Sequence, residues 1–220
     1  MTKWDGMRAR ITFSKSGSLR YIGHLDLLTI WERASRRAGL PLAYTQGFHP
    51  QPKINLASAL PLGFSSRCEV VDIHLNEDVD IANLLAHLQA ATPSGISILN
   101  VESVDESRPA LQTQVIAAEY EVTLTESVDP SKLMRRIEEL LANTSLPRQR
   151  RGKAYDLRPL IEELSLTPTP LPMGEGQGVR VYMRLSAREG ATGRPDEVMD
   201  ALGFAIEDTR IERTRLLFRE

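Results

Sequence analysis

The chain has 220 residues, 41% hydrophobic, 25% charged and 5% aromatic, with a formal net charge of −2. This is ordinary globular composition, which excludes disordered and collagen-like chains and leaves room for one large domain or two compact ones. A single cysteine, Cys68, excludes an intrachain disulfide framework, a four-thiolate zinc site and an iron–sulfur cluster held by this chain's thiolates alone, and it suits a reducing compartment.

In chain order, residues 7–13 alternate apolar and polar at period two, as a half-buried strand does. Leu25, Leu28, Trp31, Ala34 and Ala38 then form a helical stripe, with Asp26 in the first turn and Gly39-Leu40-Pro41 as the stop. Leu40 to Tyr44 and Ile54 to Leu60 read as extended pieces around a turn-rich loop, followed by a strand from Cys68 to Leu75. A helix spans Asp80 to Ala91 through Ile81, Leu84, Leu85 and Leu88, and Ile96 to Val101 is a further strand. Residues 105–115 are polar and turn-like.

The same order then recurs. Tyr120, Val122 and Leu124 alternate as a strand, and Asp129-Pro130 opens a helix with the stripe Leu133, Ile137, Leu140 and Leu141. Residues 153–166 read as extended, and the Pro- and Gly-rich stretch 168–178 as a hairpin loop. Val179, Val181, Met183 and Leu185 make a strand, Pro195 to Leu202 a short helix, and Ile206 to Phe218 a closing strand. The predicted class is α+β, with two tandem ferredoxin-like (split βαβ) domains built on antiparallel sheets. The expected domains are residues 1–104 and 117–220, joined by a linker at 105–116.

Charge is unevenly distributed. Residues 1–53 carry nine basic side chains against three acidic ones, whereas residues 54–110 carry Arg67 and Arg108 against eight carboxylates. A local excess of cations attracts polyanions even when the total charge is near zero, because screening confines compensation to about 10 Å. The second half contains one dense basic cluster, Arg148-Gln149-Arg150-Arg151-Gly152-Lys153. On the strands, Arg8, Arg10 and Thr12, and likewise Arg180, Tyr182 and Arg184, lie opposite the apolar positions. Such a face suits phosphate contact and base stacking, and equally a plain solvated surface.

The segment 44–53, Tyr44-Thr45-Gln46-Gly47-Phe48-His49-Pro50-Gln51-Pro52-Lys53, is constrained by two prolines, which push His49 and Gln51 out of helical geometry. A stiff loop presents His49, Gln51 and Lys53 at low ordering cost. His24 opens the first helix, where free amide donors and an imidazole can meet an anion or simply cap the helix. Arg33, Arg36 and Arg37 form a basic helical surface. His49 with Lys53 is a weak candidate for general acid–base cleavage of RNA, with no third group in sight. His24 and Asp26 fall on different helix faces, which weighs against a shared metal site; a three-ligand site that adds His49 stays open beside the expectation of no metal and no cofactor. His74 and His87 read as structural, and no P-loop, nucleophile elbow or dinucleotide fingerprint is present.

Three runs carry a family resemblance. They are Leu19-Arg20-Tyr21-Ile22-Gly23-His24-Leu25-Asp26-Leu27, the stretch Gly47-Phe48-His49-Pro50-Gln51-Pro52-Lys53-Ile54, and Ala59-Leu60-Pro61-Leu62-Gly63, with Glu32-Arg33-Ala34 and Arg36-Arg37-Ala38 between them. Together they resemble the radical-SAM-linked domain family, bacterial domains of unknown function. The resemblance is dense over residues 8–75. Its best later landmark is Tyr155-Asp156-Leu157-Arg158-Pro159, which adds Arg158 to the candidates. Gln51 stands where members often have His, which weighs against a metal in the loop. The resemblance implies a partner, a radical SAM protein with a cobalamin-type domain, fused to or encoded beside this chain. With one cysteine, this chain is the companion. The element order is also similar to that of CRISPR repeat-processing endoribonucleases and tRNA pseudouridine synthases, a likeness of fold alone.

The expected function is therefore a non-catalytic RNA-binding accessory domain that works with that partner in RNA modification, the RNA being a tRNA or an rRNA. Arg33, Arg37, Lys53, Arg148, Arg150, Arg151 and Lys153 would contact phosphate, and Tyr44, Gln46 and His49 would hold a nucleotide, with His24 and Arg158 as further contacts. Two alternatives stand beside it: a protein-docking module without nucleic acid, and a metal-independent endoribonuclease. No run approaches the roughly 18 apolar residues of a membrane span, and Met1-Thr2-Lys3-Trp4-Asp5 lacks a signal-peptide core, so a cytoplasmic location is expected.

Overall fold

Alternation carries Met7, Ala9, Ile11 and Phe13 to one face of the first strand, β1 (Met7–Lys15), and all four are buried. The computed structural model describes residues 6–126, 128–150, 152–167 and 179–219, and the chain divides into two compact units, Met1–Val115 and Ile116–Glu220. The class is α+β, and every strand pairing given below with its register is antiparallel.

In unit 1, β1 is followed by α1 (His24–Arg37), β2 (Ile54–Leu56), β3 (Ser65–Leu75), α2 (Ile81–Ala91), β4 (Ile96–Val104) and a single turn, α3 (Leu111–Gln114). The strand order is β4-β1-β3-β2, with Ile11 opposite Val71 on one side and Val101 on the other. Leu27 and Trp31 of α1 and Leu84 and Leu88 of α2 pack on the same apolar sheet face. Phe13 and Trp31 meet edge to face, with centroids 4.8 Å apart, a geometry that adds about 0.5–1.5 kcal/mol beyond area burial. The apolar stripe of α1 is Leu27, Trp31 and Ala34; Leu25, placed in the stripe by its spacing, is 75% exposed. Two residues of helix turn through about 200°, so burial of Leu27 forces Leu25 outward.

The opposite face of β1 differs from the expectation of an open, arginine-lined surface. Asp72 on β3 is fully buried and accepts from Arg8 Nε at 2.8 Å and from Arg10 Nε at 2.8 Å and Nη2 at 3.0 Å. Arg8 also donates to the main-chain carbonyls of Arg108 at 3.0 Å and Pro109 at 3.1 Å. These arginines neutralise an internal carboxylate and tie down the segment after β4, and Asp72 raises the Arg10 pKa further through its hydrogen bonds. His74, read as structural without polar company, has Nδ1 3.1 Å from Glu106 Oε1.

Unit 2 contains β5 (Val115–Leu124), α4 (Pro130–Ala142), β6 (Pro147–Arg150), β7 (Lys153–Asp156), β8 (Ile161–Leu166), β9 (Arg180–Arg188), β10 (Ala191–Thr192), α5 (Pro195–Ala201) and β11 (Thr209–Phe218). Its strand order is β8-β9-β5-β11, with β10 also pairing β9, and β6 and β7 form a separate two-stranded hairpin. Asp129 caps α4 by accepting from the Ser131 amide at 2.9 Å, and Pro130 occupies the first turn, where its missing N–H costs nothing. Residues 153–166, read as one extended piece, are instead β7, a 3-10 turn at Arg158–Leu160 and β8. The expected hairpin loop at 168–178 lies outside the described residues. The polar face of β9 is self-compensated: Arg184 Nη2 lies 2.9 Å from Glu119 and 3.7 Å from Glu163, and Arg180 lies 3.7 Å from Glu121. Tyr182 Oη accepts from Arg184 at 3.4 Å.

Candidate functional site

At the start of α1 the Asp26 side chain folds back on the residue before the helix. The Gly23 amide donates to Asp26 Oδ2 at 3.3 Å, half of a capping box, so Asp26 serves the helix start. His24 is the first helical residue and half-buried. Burial pushes its imidazole below the usual pKa, while the charge of Glu69 pulls the other way. The amide of Gly63 donates to the Arg20 carbonyl at 2.8 Å, which draws the 59–63 segment against the turn before α1. Tyr21, Leu25 and Leu62 are exposed in these segments, and the Arg20 guanidinium stands 4.7 Å from the Tyr21 ring centre.

At the other end of α1 the three arginines part company. Arg33 is exposed and has no ion-pair partner among the described residues. Arg36 pairs with Glu32 at 2.9 Å and places its guanidinium carbon 5.7 Å from the centre of the Tyr44 ring. Arg37 turns to the Ala91 carbonyl at 2.9 Å and closes the end of α2. The helix arginine that meets the loop is therefore Arg36, while Arg37 is held by its own unit.

The loop itself is tied at its neck. Thr45 N–H donates to the Gln51 carbonyl at 2.9 Å, and Gln51 N–H to Thr45 Oγ1 at 3.0 Å. Below it, Lys53 N–H donates to Ala43 at 2.8 Å and the Lys53 carbonyl accepts from His74 N–H at 3.0 Å. Beyond the neck, Gly47 has φ 133°, which favours glycine, and Gln46, Phe48 and His49 are all exposed, Phe48 completely. Lys53 is half-buried at the loop base. Among the described residues His49 has no hydrogen-bond or ion-pair partner, so no acid–base pair is assembled around it. Arg36 is expected from the sequence only as part of the basic helical surface and Phe48 is not among the expected candidates; an aromatic between Gly47 and His49 in a loop that needs no core contact is the signal for it.

In unit 2 the basic cluster lies on the β6–β7 hairpin, with Arg148 opposite Tyr155 and Arg150 opposite Lys153; Arg151 lies outside the described residues. Arg148 Nη2 is 3.6 Å from Asp200. Arg150 and Lys153 are exposed and bond to no carboxylate among the described residues. The hairpin base is a structural staple. Asp156 Oδ1 accepts from the amides of Leu146 at 2.8 Å and Arg158 at 3.0 Å, and these bonds hold its carboxyl below the usual range. Leu157 is core, and the Arg158 guanidinium donates to the carbonyls of Leu141, Asn143 and Ile161. Arg158 thus caps the negative end of α4.

Among the described residues no three His, Cys, Asp or Glu side chains gather to hold a metal. No helix among them is long and apolar enough to cross a membrane.

The chain belongs to the bacterial family described as "Uncharacterized protein conserved in bacteria (DUF2344)", whose profile matches residues 8–195. A search among curated proteins finds no match. Among solved structures the chain is similar to one in a Cbf5-Nop10-Gar1 complex, with 11% identity and a TM-score of 0.49, covering 94% of this chain and 48% of that one. It is similar also to one in an H/ACA RNP bound to a substrate RNA containing 2′-deoxyuridine, with 13% identity and a TM-score of 0.48, covering 96% and 49%. The chain spans about half the length of these structures. Scores of this size leave the functional reading to the geometry of the site.

Proposed function

We propose that this family member is an RNA-binding accessory protein, built as two tandem ferredoxin-like domains, 1–104 and 117–220 with 105–116 between them, and acting in the cytoplasm beside a radical SAM protein with a cobalamin-type domain. The observation that carries the reading is the 5.7 Å approach of Arg36 to the Tyr44 ring. It joins the basic end of α1 to a loop that offers Gln46, Phe48 and His49 to solvent. Cations beside exposed aromatics are what a single-stranded or looped RNA requires, the first for phosphate and the second for base stacking. Arg33 and Lys53 extend the cationic surface. The fit of both α+β units to the split βαβ strand order supports the domain reading.

The test is fluorescence anisotropy with a labelled tRNA. Affinity is expected to fall at least tenfold between about 50 and 200 mM salt, the mark of several phosphate contacts, and to drop in Phe48→Ser and Tyr44→Ala. Absent or salt-insensitive binding overturns the reading.

One observation favours a second reading, docking of the radical SAM subunit with no nucleic acid: Phe48, Tyr21, Leu25 and Leu62 are exposed apolar side chains. A complex with that subunit that survives nuclease but is lost in Phe48→Ser supports docking, and one that dissolves on nuclease treatment rejects it.

A further inference from the structure

Beside the β6–β7 hairpin, unit 2 contains a groove of about 390 Å³ lined by Arg150, Lys153, Tyr155, Leu160, Gly190 and Thr192. That volume falls in the range of small-molecule sites. Part of its wall is held by backbone pairing and close packing. Tyr155 is pinned in β7 opposite Arg148, and Thr192 Oγ1 donates to the Arg188 carbonyl at 3.1 Å. Leu160 packs beneath Gly193, where any Cβ would stand 3.2 Å from the Leu160 Cβ and carbonyl oxygen. Gly190, at φ 74°, turns the chain from β9 to β10 and leaves that rim without a side chain.

The tip of the hairpin brings two cations together. Arg150 and Lys153 face each other across the two strands, a like-charge pairing that destabilises a hairpin unless something offsets it. Neither bonds to a carboxylate among the described residues. The acids nearby are Glu197, whose carboxyl is pushed upward by burial against the pull of Arg150 and Arg148, and Asp200, 3.6 Å from Arg148. A bound anion would relieve the repulsion, and the half-buried Tyr155 supplies a ring beside it.

We infer that this groove binds one nucleoside phosphate, its base stacked on Tyr155 above Leu160 and its phosphate held by Arg150 and Lys153. The occupant is either a free mononucleotide or one nucleotide of an RNA strand. The inference goes beyond the proposed function and stands on residues of the other unit.

The experiment is calorimetric titration of the full chain with adenosine and uridine 5′-monophosphates and with a short single-stranded RNA. Binding of a mononucleotide is expected, weakened about tenfold by Tyr155→Ala and by Arg150→Glu with Lys153→Glu, and retained by Tyr155→Phe. Equal affinity for mononucleotide and RNA assigns the free ligand, and much tighter RNA binding assigns the strand. These substitutions lie at the groove surface, and circular dichroism verifies the fold of each variant. The inference is overturned by no binding of either probe, by variants that bind like the parent, or by inorganic phosphate displacing the mononucleotide at equal concentration. RNA binding that responds to Phe48→Ser but not to Tyr155→Ala rejects this inference alone and leaves the proposed function standing.

Discussion

Arg36 reaches from the last turn of α1 to within 5.7 Å of the Tyr44 ring centre, while its neighbour Arg37 donates to the Ala91 carbonyl at the end of α2. Two adjacent arginines on one helix therefore serve different ends, one the loop and the other the packing of α1 on α2.

Charge reversal separates them. Arg33→Glu and Arg36→Glu are expected to lower RNA affinity by tenfold or more, and each lost phosphate contact should flatten the logarithmic salt dependence by about 0.7 for single strands. Arg37→Ala should leave affinity unchanged and lower thermal stability modestly. Anisotropy titrations at several salt concentrations, set beside melting curves, read both effects.

Asp72 binds two strand arginines at once in unit 1. Asp72→Ala leaves Arg8, 4% exposed, and Arg10 beside a vacated buried site, and is expected to cost about 3–5 kcal/mol. Neither tryptophan of the chain falls in residues 116–220, and Trp31 is buried in unit 1, so tryptophan fluorescence during urea denaturation reports on that unit. An unchanged midpoint would remove the assigned role.

The half-buried imidazole of His24 sets a pH dependence. Its folded pKa is depressed by burial, so the unfolded chain takes up a proton first as the solution is acidified. The stability it contributes is present above the unfolded value of about 6.5 and is lost as pH falls through the folded one. Wild-type protein should therefore lose more stability between about pH 7.5 and pH 5 than His24→Gln does. Parallel stability profiles for the two proteins would contradict this.

Arg158 closes α4 through the carbonyls of Leu141 and Asn143 and ties it to the Ile161 carbonyl at the start of β8. Arg158→Ala should destabilise unit 2 by about 1.5–3 kcal/mol, the range for charged hydrogen bonds, and speed amide exchange in residues 137–142. RNA affinity should not move. A specific loss of RNA binding with unchanged exchange would return Arg158 to the ligand side.

Local patterns in the sequence disclose the elements and hide the partners. Period-two alternation locates β1, β5 and β9, and the Asp-Pro start of α4 is readable because capping is a short-range effect. The orientation of α1 is one step off, since Leu25 and Leu28 fit a helical stripe as well as Leu27 and Trp31 do, and only the sheet beneath decides. The role of Arg8 and Arg10 was invisible for a different reason: Asp72 lies more than sixty residues away in the chain, and no local pattern announces a carboxylate that meets two strand positions at once. The same holds for Arg158, which reads as a surface cation until the helix end beside it is known. In the loop, the prolines and Gly47 signal constraint, but the bonds between Thr45 and Gln51 that close its neck depend on a register that spacing does not encode.

The doubly engaged Asp72 also changes how the chain's electrostatics are to be counted. Of the cations that make the amino-terminal quarter look like a magnet for polyanions, Arg8 and Arg10 have already found their counterion inside the sheet. On the proposed RNA-binding reading, an incoming polymer would sense a small number of side chains around α1 and its loop, and discrimination among RNAs would fall to shape and to the exposed Phe48 at the rim.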